Sequence, residues 1–123
     1  MDESLLVSVI IPTYKRADSL SRAIDSVLGQ SYKNLEVIVV DDNNANTKYR
    51  THTQSIMQQY KNDRRVIYIQ HKHNQNGAAA RNTGIYISKG EFLCFLDDDD
   101  WYKPEKIEKQ VDYMLNHPEY DAV

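Results

Sequence analysis

Apolar residues in this chain come in short blocks between polar loops, and the blocks alternate between strand-like and helix-like periods. Val7 to Ile11 is a β-branched run stopped by Pro12, which reads as a buried strand ending in a loop. Leu20, Ala23, Ile24, Val27 and Leu28 then recur at helical spacing, with Asp18 placed to cap the start and Gly29 to close the end. Leu35 to Val40 reads as a second strand, almost continuously apolar, with Asp41-Asp42-Asn43-Asn44 at its carboxyl end. From Asn46 onward Tyr49, Thr53, Ile56 or Met57, and Tyr60 fit a helix whose start the Asn and Thr content leaves open. Asn62-Asp63 is a turn, Arg65 to Gln70 a third strand, and His71 to Gly77 a polar loop.

Ala78 to Lys89 reads as a helix closed by Gly90, with Ala80, Gly84 and Ile87 on one stripe. Gly84 costs that helix about 1 kcal/mol against alanine, so it is expected to permit close packing on a neighbour. Phe92 to Leu96 is too short to span a membrane and reads as a fourth strand buried on both faces. Pro104 suits the first residue of a last helix, with Ile107, Val111, Met114 and Leu115 as its buried face and Asn116-His117-Pro118 as its end. Tyr120 to Val123 looks like the start of another strand.

This alternation predicts an α/β fold, a Rossmann-like and mostly parallel sheet with right-handed crossovers and helices on both faces. A strand order of 3-2-1-4 puts the loops after the first, second and fourth strands on one rim. The topological switch then lies between strands one and four, where open α/β sheets bind ligands.

A length of 123 residues suits one modest domain, and 41% hydrophobic content with interspersed charge suits a soluble globular chain. The net charge of -3 and the lack of a basic cluster exclude nucleic acid as the main partner. No apolar segment approaches the roughly 20 residues needed to cross a bilayer, and Met1-Asp2-Glu3 has the wrong charge for a signal peptide. The lone Cys94 sits in the fourth strand as a core thiol, in keeping with a reducing, cytoplasmic compartment.

The chemistry concentrates at the rim. Asp97, Asp98, Asp99 and Asp100 arrive together at a strand end. Two unit charges about 4 Å apart repel by roughly 4 kcal/mol at an effective dielectric of about 20, so such a group favours a cation, with Mg2+ or Mn2+ as natural candidates. Tyr14 offers a face for a nucleobase, and Asp42 an acceptor for a base N–H or for ribose hydroxyls. Arg81 could address phosphate or brace a carboxylate. Asp99 could hold a metal across a diphosphate, with Asp97 or Asp98 on ribose or a metal-bound water.

Each residue also has a plainer use: Tyr14 as cover for the sheet edge, Asp42 as a helix cap, Arg81 as a salt-bridge partner, and Asp98 or Asp100 as solvated loop. Asn82 is expected to bond backbone in a turn leading to Gly84 rather than touch a ligand, and Trp101 either packs over the rim or forms a sugar platform. His71 and His73 point opposite ways in an extended loop, which argues against zinc.

Val9-Ile10-Ile11-Pro12-Thr13-Tyr14-Lys15-Arg16, Val39-Val40-Asp41-Asp42, Asn76-Gly77 through Ala80-Arg81-Asn82-Thr83-Gly84, and Phe95 through Trp101 with Pro104 together resemble the family 2 glycosyltransferases of the GT-A fold. The resemblance runs in order along nearly the whole chain. It implies an inverting transferase that uses a nucleotide-diphosphate sugar, most often a UDP-sugar, with Mg2+ or Mn2+ and a glycan or other hydroxyl acceptor. It implies a nucleotide-binding set of Pro12, Tyr14, Arg16, Asp42, Arg81, Asp97 and Asp98. Asp97 and Asp99 fall on its DxD metal motif, with Asp99 acting in catalysis through the metal. Cell-surface polysaccharide or glycan synthesis is the expected setting, in the cytoplasm and at the inner face of the membrane for a full-length parent.

Two departures bear on function. Lys15 stands where the family usually has Asn, and Asn43-Asn44 where Ser or Thr soon follows the aspartates; both bear on base or ribose contacts. The family also continues into an acceptor-binding half that supplies the general base, so residues 1–123 are expected to form a single donor-binding domain. Weak transfer by the isolated chain and self-association through an exposed sheet edge are the corresponding expectations.

Three rivals remain. A nucleotidyltransferase would normally carry a Gly-rich basic phosphate loop, and Pro12 to Arg16 has no glycine. A phosphatase with an aspartate nucleophile needs polar and Lys partners further along than this chain extends. A non-catalytic nucleotide-binding module would bind donor without turnover.

Overall fold

Four parallel strands, β1 (Val7–Thr13), β2 (Leu35–Asp41), β3 (Val66–Gln70) and β4 (Phe92–Phe95), pair in the order β3-β2-β1-β4, as the sequence predicts. The computed structural model describes residues 4–117, so the strand expected at Tyr120 to Val123 lies outside the described residues. Helices α1 (Ala17–Leu28), α2 (Lys48–Met57), α3 (Gly77–Ile87) and α4 (Lys106–Asn116) make the connections, and a 3-10 turn (Gln58–Tyr60) follows α2.

The period of two along β1 and β2 divides the core. Val7, Val9, Ile11, Val37 and Val39 face α1 and α4 through Leu20, Ile24, Val27, Ile107 and Val111, with Met57 and Tyr60 at the margin. Ile10, Ile38 and Val40 face the other way, onto Ala80 of α3, with Ile67 and Ile87 packed beside them. Helices therefore cover both faces, and β1 and β2 are buried almost throughout.

Gly84 does what its position in the stripe predicts. A Cβ there would come within 2.5 Å of Ile10 Cγ2, so its absence lets α3 lie directly on β1. Of the two glycines expected to close helices, Gly29 does cap α1 and Gly90 does not cap α3. Gly29 follows α1 at φ -87, outside the left-handed region, while α3 stops at Ile87 with Ser88 as its cap. Gly90 is required by proximity: a Cβ would meet Ser8 Oγ at 2.5 Å, Ser8 N at 2.7 Å and Leu6 O at 2.8 Å. The left-handed backbone falls instead to Lys15, Asn46 and Asn76.

Other expectations need correcting. β4 is not buried on both faces: among the described residues it ends the sheet, Leu93 and Phe95 are exposed, and α3 crosses over β1 and β2 rather than over β4. Asp18 is not the cap of α1; Arg16 holds that position, with no side-chain cap bond. Thr47 caps α2, its hydroxyl oxygen accepting from Arg50 N–H. α4 begins at Lys106, two residues beyond Pro104, and Leu115 is exposed. Its N-terminus is served from a distance, because the buried Gln30 accepts from Ile107 N–H at 3.0 Å and donates to Lys103 O at 2.7 Å.

Candidate functional site

β1, β2 and β4 end together, and side chains lock their loops. Thr13, the last residue of β1, donates its hydroxyl to Asp98 Oδ2 at 2.8 Å, and its carbonyl accepts Asp42 N–H at 2.9 Å. One residue thus joins both aspartate loops at the predicted switch point. Pro12 precedes it in register with Val40, and Tyr14 N–H lies 3.4 Å from the same Asp98 oxygen.

The aspartates of the β4 loop have separate surroundings. Asp98 is buried; loss of water pushes its carboxyl pKa up, against the hydrogen bonds from Thr13 and Tyr14 and the charge of Arg16. Asp97, Asp99 and Asp100 are exposed. Asp99 pairs with Arg16 Nη1 at 2.5 Å, and Arg16 also lies 3.8 Å from Asp98.

The face of α1 nearest the rim holds this loop at three-residue steps, as neighbours on one helix face can. Besides Arg16, Ser19 donates to Asp98 O at 2.7 Å, and Arg22 donates to Asp99 O at 3.3 Å while its guanidinium lies 4.3 Å from the Trp101 ring centre. Trp101 is half exposed, so its role in packing is with Arg22.

On the β2 side both aspartates turn inward. Asp41 takes Tyr68 OH at 2.5 Å and Asn43 Nδ2 at 2.8 Å. Arg50 Nε lies 3.0 Å from Asp41 Oδ2 as an ion pair, but off the line of a hydrogen bond. Arg50 Nη2 donates to the carbonyls of Asn43 and His71. Asp42 is 2% exposed and holds the segment between β3 and α3 through His71, Asn74, Gln75 and Asn76. A carboxylate only accepts, so Asp42 fixes the proton of His71 on Nδ1, while Nε2 meets Thr83 Oγ1 at 2.8 Å.

Tyr14 is 39% exposed at the rim, with Lys15 Nζ 5.0 Å from its ring centre and equally far from that of Tyr49. Arg81 is exposed early in α3 and lines, with Asp97, Asp100 and Trp101, a cavity of about 1510 Å³ along β4. Asn82 is exposed within α3, where no turn exists for it to stabilise.

The structure therefore gathers Pro12, Tyr14, Arg16, Asp98 and Asp99 at the switch, with Asp42 one bond away through Thr13, and sets Arg81 with Asp97 across the adjoining cavity. The bracing roles of Thr13, Ser19, Arg22, Arg50 and His71 are not evident from the sequence pattern. The spacing of residues 16, 19 and 22 was the only local signal for the first group, and a buried Arg–Asp or His–Asp pair across loops leaves none.

Among the described residues no three His, Cys, Asp or Glu side chains are gathered to hold a metal ion. Asp97 and Asp99 face solvent on either side of the buried Asp98, an oxygen-only and incomplete donor set. Such a set fits Mg2+ or Mn2+ held jointly by one or two carboxylates and phosphate oxygens, rather than caged by protein. No helix among the described residues is long and apolar enough to cross a membrane.

A protein-family model described as Glycosyl transferase family 2 matches residues 8–123. The chain is 39% identical over 111 residues to TuaG of Bacillus subtilis (strain 168), named for glycosyl transfer in teichuronic acid biosynthesis, covering 89% of this chain and 42% of that protein. It is 37% identical over 109 residues to the Escherichia coli UDP-Glc:alpha-D-GlcNAc-diphosphoundecaprenol beta-1,3-glucosyltransferase WfaP, covering 89% and 41%. The crystal structure of S. aureus TarS 1-349 in complex with UDP-GlcNAc superposes with a TM-score of 0.80 at 27% identity, over 93% of this chain and 32% of that one. The chain spans less than half the length of these proteins.

Proposed function

The chain belongs to glycosyl transferase family 2, and from that premise we propose that it is the donor-binding domain of an enzyme that moves a sugar from a nucleotide-diphosphate sugar to an acceptor hydroxyl. UDP is the favoured nucleotide, and surface polysaccharide or glycan the favoured product. The names of WfaP and of the TarS complex, each with a UDP-sugar, support that donor class. The rivals built on nucleotidyl transfer or an aspartyl phosphatase do not belong to this family.

The observation that carries the reading is the Thr13–Asp98 bond at the switch point. It buries one aspartate as a brace and leaves Tyr14 and Asp99 facing outward beside it. That geometry supports a base against Tyr14 and a diphosphate towards Asp99, Asp97 and Arg81. Asp97 and Asp99 would hold the divalent ion, whose chemistry is to offset negative charge on the departing diphosphate. Arg16 sits on Asp99 and would give way to or share that role, while Arg81 supplies a planar cation for phosphate oxygens.

Inversion requires the acceptor oxygen to bond the sugar carbon from the face opposite the diphosphate as the carbon–oxygen bond to that diphosphate breaks. The acceptor's proton passes to a base within hydrogen-bond reach. We place that base in the part of the relatives' length that this chain does not span. Residues 1–123 should then bind nucleotide while transferring sugar weakly, and a lipid-carried acceptor would bring the parent enzyme to the inner face of the membrane. Among the described residues β4 ends the sheet, and its edge offers a route to self-association.

Calorimetric titration of UDP, GDP, CDP and dTDP, with and without Mn2+, tests the reading. UDP should bind best, and the ion should strengthen binding in the wild-type chain but not in Asp99→Ala. Binding of none of the four would remove the donor site, and an ion effect retained in Asp99→Ala would remove the metal role of that residue.

A further inference from the structure

Asp42 has no acceptor position to spare. A carboxylate offers about four lone-pair sites, and His71 Nδ1 at 2.8 Å and Gln75 N–H at 2.9 Å take those of Oδ1. Asn74 Nδ2 at 2.8 Å and Asn76 N–H at 3.1 Å take those of Oδ2. Three of these partners are fixed. The His71 ring is buried and held from behind by Thr83. The N–H groups of Gln75 and Asn76 belong to backbone that leads into α3, where Asn76 Oδ1 accepts from Ala79 N–H. Asn76 itself stands at φ 132, ψ 171, a region that residues with a side chain seldom occupy, so the segment has few other ways to run.

Asn74 differs from the other three. It is exposed, and its carboxamide leaves Asp42 by side-chain rotation alone, while its backbone N–H stays on Asn44 Oδ1 at 2.8 Å. The same carboxamide also donates to the Asp42 carbonyl at 3.1 Å, so it lies across the aspartate and closes it off. A donor from a ligand reaches Asp42 only by replacing that group.

We infer that the Asn74 carboxamide is a stand-in for the N–H of a nucleobase: it satisfies Asp42 in the unliganded chain and sets nucleotide affinity by having to leave. The inference rests on the reading of Asp42 as the base acceptor. The exchange trades one N–H for another, so it costs little for a base with a ring N–H, such as uracil. A base without that donor displaces Asn74 and leaves a buried carboxylate unsatisfied, which is expensive.

The test is calorimetric titration of the full chain and of Asn74→Ala with UDP and with ribose 5'-diphosphate, which lacks the base and has no need to displace Asn74. Removing the competing contact should tighten UDP binding by about threefold to tenfold, as removal of a closed state does, with the base-free diphosphate gaining little. The backbone bonds of the segment do not involve the Asn74 side chain, and thermal melting checks that the variant keeps its fold. UDP affinity unchanged or weakened in Asn74→Ala overturns the inference, as does an equal gain for both ligands, which would signal a loosened loop. If the wild-type chain binds no nucleotide, the functional reading falls first and this inference with it.

Discussion

Tyr14 stands at the rim with one face near an ammonium group. The Lys15 Nζ lies 5.0 Å from its ring centre, and Lys15 adopts a left-handed backbone at φ 58, where Asn is better suited than Lys. The departure from the family pattern thus has a physical expression: the backbone shape that suits Asn is kept, and the lysine side chain bridges two tyrosines. If a base stacks on Tyr14, Tyr14→Ala should weaken UDP binding by about 1 to 3 kcal/mol in a calorimetric titration. Full affinity in that variant would place the base elsewhere. The rim residues themselves were legible because strand ends and turn residues are local signals. The inward turn of Asp42 was not, since nothing next to it in sequence announces His71 and Asn74 as partners.

At the scale of elements, packing distances decide which sequence rules held. Strand and helix order followed from periodicity because β1 and β2 are buried on both faces and α1 has one apolar stripe. β4 was misread because a run of apolar letters looks the same in a central strand and at an edge awaiting cover. The glycines show the same limit: Gly29 and Gly90 carry the letter of a helix stop, yet only Gly29 caps its helix, and Gly90 is needed because the start of β1 passes beneath it. Gly84→Ala offers a test with opposed terms. Alanine gains about 1 kcal/mol of helix propensity, whereas forcing a methyl group against the buried Ile10 at 2.5 Å costs about 1 to 3 kcal/mol. The crowding should win, and urea unfolding should show a net loss of stability; a gain would mean that α3 shifts off β1 without cost.

For the molecule as a whole, buried phenols make alkaline pH the weak side. Burial pushes Tyr60 up from 10.0 to about 12, helped by its hydrogen bond to Asp25, and raises Tyr68 and Tyr102 as well. The folded chain keeps protons there that the unfolded chain releases. Stability from this source is therefore complete below pH 10 and is lost as pH climbs from 10 through 12. Urea midpoints at about pH 9 and about pH 11 should fall steeply for the wild-type chain and less steeply for Tyr60→Phe. Identical slopes would show that Tyr60 titrates alike in both states.

The stacking of Arg22 on Trp101 has an experimental consequence. This chain contains a single tryptophan, and its indole sits in the acidic turn, against the α1 face that also sets Arg16 on Asp99. Ultraviolet excitation near the red edge of protein absorption therefore illuminates one place only, so events around those carboxylates can be followed by emission in an unlabelled sample.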